Sequence, residues 1–489
     1  MRFRVILVMV IVAAILCSCG SETDSGNSGD ENTTSTPEDI SVDTTVEESE
    51  APIFNLEPTD YEEYEFRILC KPKVDFYFPY AEVYIEEQNG DTMNDAVYMR
   101  NLNVEEALNI KISAVEGNDI LTTAKNFIMA GDNEYDLVMC TIVDATSLSL
   151  SNLLLDINTI PHFELDSEYW RGSIIEGTSI KNKNYYGISD LNLQSFNTVG
   201  AVYFSKNMVE NYNLESPYEV VRDGKFTIDY FIETSKGVSK DLNGDNVLSW
   251  DDQYGFSGNN FVWQPLFSGA SGQFISKDSE DMPVLDLYSE KNIDILSKVI
   301  TLLNDPEITL FSEQYNSVIK DGRAMLPQVA LKEGRTLYWI ELTYGIPGLR
   351  ETEFDFGLLP MPKYDEKQEE YHTYIHQNHG TVLSFPATLT ETERTGKIIE
   401  FLSYESYNTV RPAFFDVTLK GKTTRDLESN EMLDILYKNI RIDLALSLNV
   451  GVDGDIRNMC NKNDINFTSQ FSSKENAYNQ NLQKIVDIK

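Results

Sequence analysis

The sequence predicts an α/β protein built as two lobes. Three observations carry this. Between residues 65 and 140 short apolar runs alternate with helical periods, and a similar alternation resumes after about residue 200. The roughly 430 residues that follow an acidic N-terminal stretch are enough for two or three domains. Composition agrees with a packed globular body, at 41% hydrophobic and 11% aromatic residues. The formal net charge of −40 argues against nucleic acid or anionic lipid as a partner.

In chain order, the first element is a leader. Arg2 and Arg4 precede an apolar run from Val5 to Leu16, which is too short for a stable membrane span and reads as a cleaved signal. Leu16, Ser18 and Cys19 resemble a lipobox, which implies that residues 1–19 are a lipoprotein signal and that Cys19 is acylated. From Gly20 to Glu57 there are 11 acidic residues and no Lys or Arg. Such a stretch cannot bury enough apolar surface to offset its ordering entropy, so residues 20–62 are expected to be a disordered tether spanning roughly 35 Å. Cys70 and Cys140 each end an apolar run, where a buried free thiol is expected; with Cys460 they are too few for a disulfide framework.

The folded part opens with a strand at Glu65–Leu69. A helix follows from Asn94, read as its N-cap, to Leu108, then a strand at Ile110–Val115. A second helix runs from Asp119 to Ala130 and is closed by Gly131. Tyr135 to Cys140 is apolar along most of its length, as befits a strand covered on both faces. The second alternation has a strand at Ala201–Phe204, helices at Thr227–Val238 and Asn292–Leu303, and a strand-like stretch at Phe354–Pro360. A ligand of such a fold is expected between the lobes, near the carboxyl ends of the strands.

Several stretches together carry a resemblance. Met93 to Asn101 with Val104, Glu105 and Glu106, then Tyr135 to Val138, Leu155 to Asn158 and Phe354 to Pro362, are similar to segments of extracellular solute-binding proteins of family 1, the receptors of ABC importers. Glu391 to Gly396 and Lys422 to Ser429 resemble two of that family's later helices. The resemblance implies a periplasmic-binding-protein fold with three interlobe crossings, near Gln194–Gly200, Leu349–Gly357 and Ser403. Lobe I is then expected at 63–197 plus 356–402, and lobe II at 198–355 plus 403–489. It further implies a monomeric, non-enzymatic receptor on the outer face of the bacterial cell membrane, held there only by its lipid. Its partners would be a sugar-like small molecule and the transmembrane subunits of a permease. A surface-anchored glycosidase is the alternative, although no pair of carboxylates stands in a recognisable catalytic frame.

A carbohydrate site needs flat aromatics beside Asp, Asn or Gln. Asn260, Phe261 and Trp263 lie in a segment resembling one that lines the cleft of maltose-type binding proteins. Thr141 and Asp144 follow the third strand, at the strand end where ligands are expected. Gln328 comes after a segment that resembles a cleft-facing strand of lobe II, and Trp170 and Trp339 are further candidates. His372, His376 and His379 have the i, i+4, i+7 spacing of zinc ligands on a helix, but their neighbours favour strand and loop.

Asp241 to Asp252 follows the twelve-residue calcium loop and resembles dockerin-type loops. Asp241, Asn243 and Asp245 supply oxygen at positions 1, 3 and 5, and Asp252 a carboxylate at position 12. Val247 would give its carbonyl, and Ser249 would act directly or through water. Asn246 stands where a left-handed turn usually needs Gly, and Asn tolerates that turn next best. A structural Ca²⁺ is the expected cofactor.

Overall fold

The computed structural model describes residues 54–73, 80–315, 325–346, 349, 355–419, 427–448 and 450–486. The expected signal, Cys19 and most of the tether lie outside them, as do Gly322 to Ala324 and Lys422 to Asp426. Strand β1 (Tyr64–Cys70) lies between β2 (Ile110–Glu116) and β3 (Leu137–Thr141), parallel to both. Helices Thr92–Leu108 and Ile120–Ala130 make the crossovers. Alternate side chains of β1 and β3 feed two cores: Leu69, Val138 and Cys140 on one face, Phe66, Ile68, Leu137 and Met139 on the other. That is why β3 reads as an unbroken apolar run.

The first helix begins earlier than Asn94. The Asp91 carboxylate accepts the N–H groups of Met93 and Asn94 at 3.1 and 2.9 Å, and Asp91 is therefore the cap. The tether also ends earlier than residue 62. Phe54 stacks on Tyr404 and meets Phe401 edge-on, while the N–H groups of Thr59 and Tyr61 donate to the carbonyls of Ala107 and Leu108. Two aromatic contacts and these bonds offset the ordering of this short stretch.

The chain then crosses into lobe II and lays down β4 (Gly200–Ser205), β5 (Tyr254–Gly258), the hairpin β6 (Ile275–Lys277) and β7 (Pro283–Leu285), β8 (Thr309–Phe311), β9 (Thr336–Leu342) and β10 (Phe356–Leu359). The main sheet has the order β10-β4-β9-β5-β8. After β11 (Thr373–Tyr374) the chain returns, and β12 (Thr381–Ser384) pairs antiparallel with β3. Lastly, β13 (Ile440–Arg441) pairs with β11.

Two expected boundaries are corrected here. β10 pairs with β4, Phe356 opposite Ser205, so it belongs to lobe II and not to lobe I. The second crossing therefore lies at residues 375–380 and not at 349–357. A short apolar run announces a strand without saying which sheet receives it. Close packing decides: a Cβ on Gly357 would come within 2.3 Å of the Phe204 ring and the Tyr218 hydroxyl, so only glycine lets β10 approach. The third connection is not a simple break near Ser403, because helix Thr392–Glu405 continues through a π turn, Ser406–Val410, into Arg411–Leu419.

Side chains lock these connections. Val199 and Ile375 bridge antiparallel, joining the first two crossings. Asp190, just before the first, is buried between Arg171 and Arg411, the latter 3.6 Å away and at the start of helix Arg411–Leu419. Cys70, Cys140 and Cys460 are buried free thiols. No described helix is long and apolar enough to cross a membrane.

Candidate functional site

Four local structures converge where the lobes meet. β5 ends at Gly258, and the Asn259 side chain accepts the Phe261 N–H at 2.9 Å, starting the turn Asn260–Val262 and then helix Trp263–Gly269. From lobe I, β3 ends at Thr141, whose hydroxyl accepts the Asp144 N–H at 3.2 Å and caps helix Ile142–Leu150. The return crossing carries His376, Gln377 and His379. Helix Val452–Lys462 brings Asp453 and Arg457, one turn apart on one face.

Asp453 is the centre of this cluster. Its Oδ1 accepts from Trp263 Nε1 at 3.2 Å, Gln264 Nε2 at 2.8 Å and Arg457 Nε at 2.8 Å. Arg457 also donates to Asn260 Oδ1 at 3.1 Å, and its guanidinium lies 5.7 Å from the centre of the Phe261 ring. The half-buried Phe261 ring is stacked on His376 at 5.4 Å, and His376 lies 4.4 Å from His379. Tyr374 donates to Gln264 Oε1 at 2.6 Å and meets the Gln377 amide as well. A cavity of about 60 Å³ opens beside Asp453, walled by Val143, Ala445, Leu446, Gly451, Gln377 and Asn378.

Burial first, then the nearby His379 and Arg457, pushes His376 down to about 3. Burial and then Lys71 lower His379 as well. Both rings are therefore uncharged near neutral pH and act as polar, aromatic surface. His372 is elsewhere: its Nδ1 is 2.7 Å from the Ser271 hydroxyl, and burial pushes it down to about 4. The three histidines thus do not share a helix face. Among the described residues, no three His, Cys, Asp or Glu side chains are grouped to hold a metal ion.

The expected ligand residues divide in two. Asn260 and Phe261 stand in the cluster, and Asp144 is half-buried beside Val143, with Thr141 spent as its cap. Trp263 is fully buried between Phe267 and Phe274, so it presents its N–H to Asp453 and no open ring face. Trp170 donates to Glu400 at 3.0 Å in the core of lobe I, and Trp339 packs on Tyr203 within the lobe II sheet. Gln328 is buried on helix Leu326–Lys332. Asp453, Arg457 and Gln377 were not among the expectations, and His376 was named only for its zinc-like spacing. The only sequence signal for the first two is their i, i+4 spacing.

At the other end of β5 lies the acidic loop. Asp241 accepts the N–H groups of Gly244 and Asn246, both at 2.7 Å, which holds its carboxyl below the usual carboxylate range. Asn243 and Asp245 accept from Asp245 and Val247, and the fully buried Asp252 from Leu242 and Ser249. Asn246 has φ 63, the left-handed turn expected of it. The carboxylates are thus bonded to the loop's own N–H groups, and Asp241, Asp245 and Asp252 are not grouped as metal ligands.

The fold has solved counterparts. Solved structures with the same architecture include the cyclic alpha-maltosyl-1,6-maltose binding protein from Arthrobacter globiformis, with a TM-score of 0.56, 13% identity, and 86% of this chain and 99% of that one covered. The ABC substrate-binding protein Lmo0181 from Listeria monocytogenes, in complex with cycloalternan, has a TM-score of 0.53 at 10% identity over 86% of this chain and 100% of that one. A family 1 extracellular solute-binding protein from Bifidobacterium longum subsp. infantis has a TM-score of 0.53 at 11% identity, covering 86% and 99%. The chain therefore has the two-lobed fold of ABC solute-binding proteins. No family model and no curated protein matches it.

Proposed function

We propose that this protein is a lipid-anchored substrate-binding receptor of an ABC importer, which takes a carbohydrate or oligosaccharide between its lobes and delivers it to a membrane permease. The observation that carries the reading is the cluster where the lobes meet. The half-buried Phe261 brings an aromatic ring to the junction for sugar C–H groups, and Asn260, Asp453 and Gln377 offer hydrogen bonds to hydroxyls. The neighbouring imidazoles add polarity without charge. Asn260, Phe261 and Asp144 are the ligand-facing residues in this reading, and Trp263 is a positioning residue that orients Asp453.

Binding rather than turnover is the expected behaviour. Purified protein incubated with mixed oligosaccharides should melt at a higher temperature and leave the sugars intact. Cleaved products would favour a glycosidase instead. The anchor is Cys19 in the same reading: Cys19→Ser should release the protein from membranes, whereas Cys17→Ser should not. The loop 241–252 is proposed to hold a structural Ca²⁺ through Asp241, Asn243, Asp245, the Val247 carbonyl, Ser249 and Asp252. When bound, the cation would supply the positive charge that lets these oxygens gather.

A further inference from the structure

The cavity beside Asp453 is small and built from unlike walls. At about 60 Å³ it exceeds the roughly 10–15 Å³ one water requires, yet falls well short of the about 300–1,000 Å³ of a whole ligand pocket. It has room for a substituent and not for a sugar ring. Val143, Ala445 and Leu446 give it an apolar side. Asp453 gives it a carboxylate with one oxygen in reserve, since all three of its hydrogen bonds among the described residues fall on Oδ1. The Gln377 amide spends one end on Tyr374, which leaves its other end available. Lobe I contributes Val143, and lobe II contributes Asp453 and the 445–451 segment.

A methylene against the apolar side and a hydroxyl against Asp453 Oδ2 would match these walls. Resting on the receptor reading, we infer that the cavity takes the exocyclic hydroxymethyl group of a hexose unit, so that the receptor selects hexose-built over pentose-built oligosaccharides. Asp453 is then a specificity-determining residue, and Arg457 balances its charge on the opposite side. A pentopyranose lacks the hydroxymethyl group and would leave Asp453 Oδ2 facing an unfilled space. A site built to hydrogen-bond a hydroxyl discriminates strongly against an analogue without it, whereas loss of a methylene alone is worth about 10–200-fold.

Calorimetric titration of the full chain tests this with cellotriose, maltotriose and mannotriose against xylotriose. Xylotriose is cellotriose without its hydroxymethyl groups. The hexose member of a pair should bind at least about tenfold tighter, and Asp453→Asn, which keeps the side-chain volume, should narrow that ratio. Ala445→Leu, which fills the cavity, should narrow it too, with a melting curve on each variant to show that it folds. Equal affinities, or a preference that folded Asp453→Asn leaves untouched, would overturn the inference while the receptor reading stands. If none of the four sugars binds, the hexose inference falls, while the receptor reading is decided by the melting test with mixed oligosaccharides.

Discussion

The two ends of β5 carry carboxylates that are held in opposite ways. Before the strand, Asp241 and Asp252 accept N–H groups from within twelve residues of chain. After it, the segment 263–264 meets Asp453, some 190 residues downstream. The first arrangement is a local turn shaped mainly by its own residues, with Arg335 donating to the carbonyls of Trp250 and Asp252 from outside. The second exists only once helix Val452–Lys462 has docked on lobe II, so its geometry depends on the whole lobe and its open side can serve a ligand.

The largest effect should come from the buried support of the second arrangement. Trp263→Ala is expected to cost about 3–5 kcal/mol of stability, because it empties a fully buried site between Phe267 and Phe274. Denaturant unfolding measures it. A loss of sugar binding with unchanged stability would instead make Trp263 a contact residue and blur the distinction.

Next comes the local end. Calcium at about a hundredfold excess over its dissociation constant should stabilise the protein by about 2.7 kcal/mol. The double variant Asp241→Ala, Asp245→Ala should abolish that rise while sparing sugar affinity. If the melt after thorough chelation is indifferent to millimolar calcium, the loop is held by its own N–H groups alone.

Phe261→Ala should weaken oligosaccharide binding by about 2 kcal/mol with little loss of stability, since its ring is only half-buried. Paired with Trp263→Ala it sharpens the contrast between a residue that faces the ligand and one that props up the site. Unaltered affinity in folded Phe261→Ala would remove the ring from the binding surface.

The smallest effect is one of pH. His376 is pushed down to about 3, whereas in the unfolded chain it titrates near 6.5. As pH falls through 6.5 the unfolded chain takes up a proton that the folded protein refuses, so stability is full above that pH and is lost towards 3. His376→Gln removes this loss: relative to the parent it should gain stability between pH 7.5 and pH 5, as read by urea titration at both values. A constant difference would mean that the folded ring titrates normally.

What could be read from the sequence follows the same division. The alternation in lobe I, the Gly131 stop, the run of β3 and the left-handed turn at Asn246 depend on near neighbours, and each was legible. The sheet that receives β10 depends on Phe204 and Tyr218, and the partners of Asp453 on helix docking, so neither was. Trp263 shows the limit most clearly. Its segment lies where the lobes meet, but no local pattern distinguishes a ring turned inward from one turned out, and the neighbouring Phe261 is the one left half-buried.

The packing of Phe54 to Tyr61 on lobe I also fixes a frame of reference. Load arriving along the N-terminal chain would fall on the rings of Phe401 and Tyr404, which pack into the lobe I core, and on the carbonyls of Ala107 and Leu108. For a receptor leashed at its N-terminus, lobe I would be the stationary jaw, and lobe II the one free to swing, without dragging the leash.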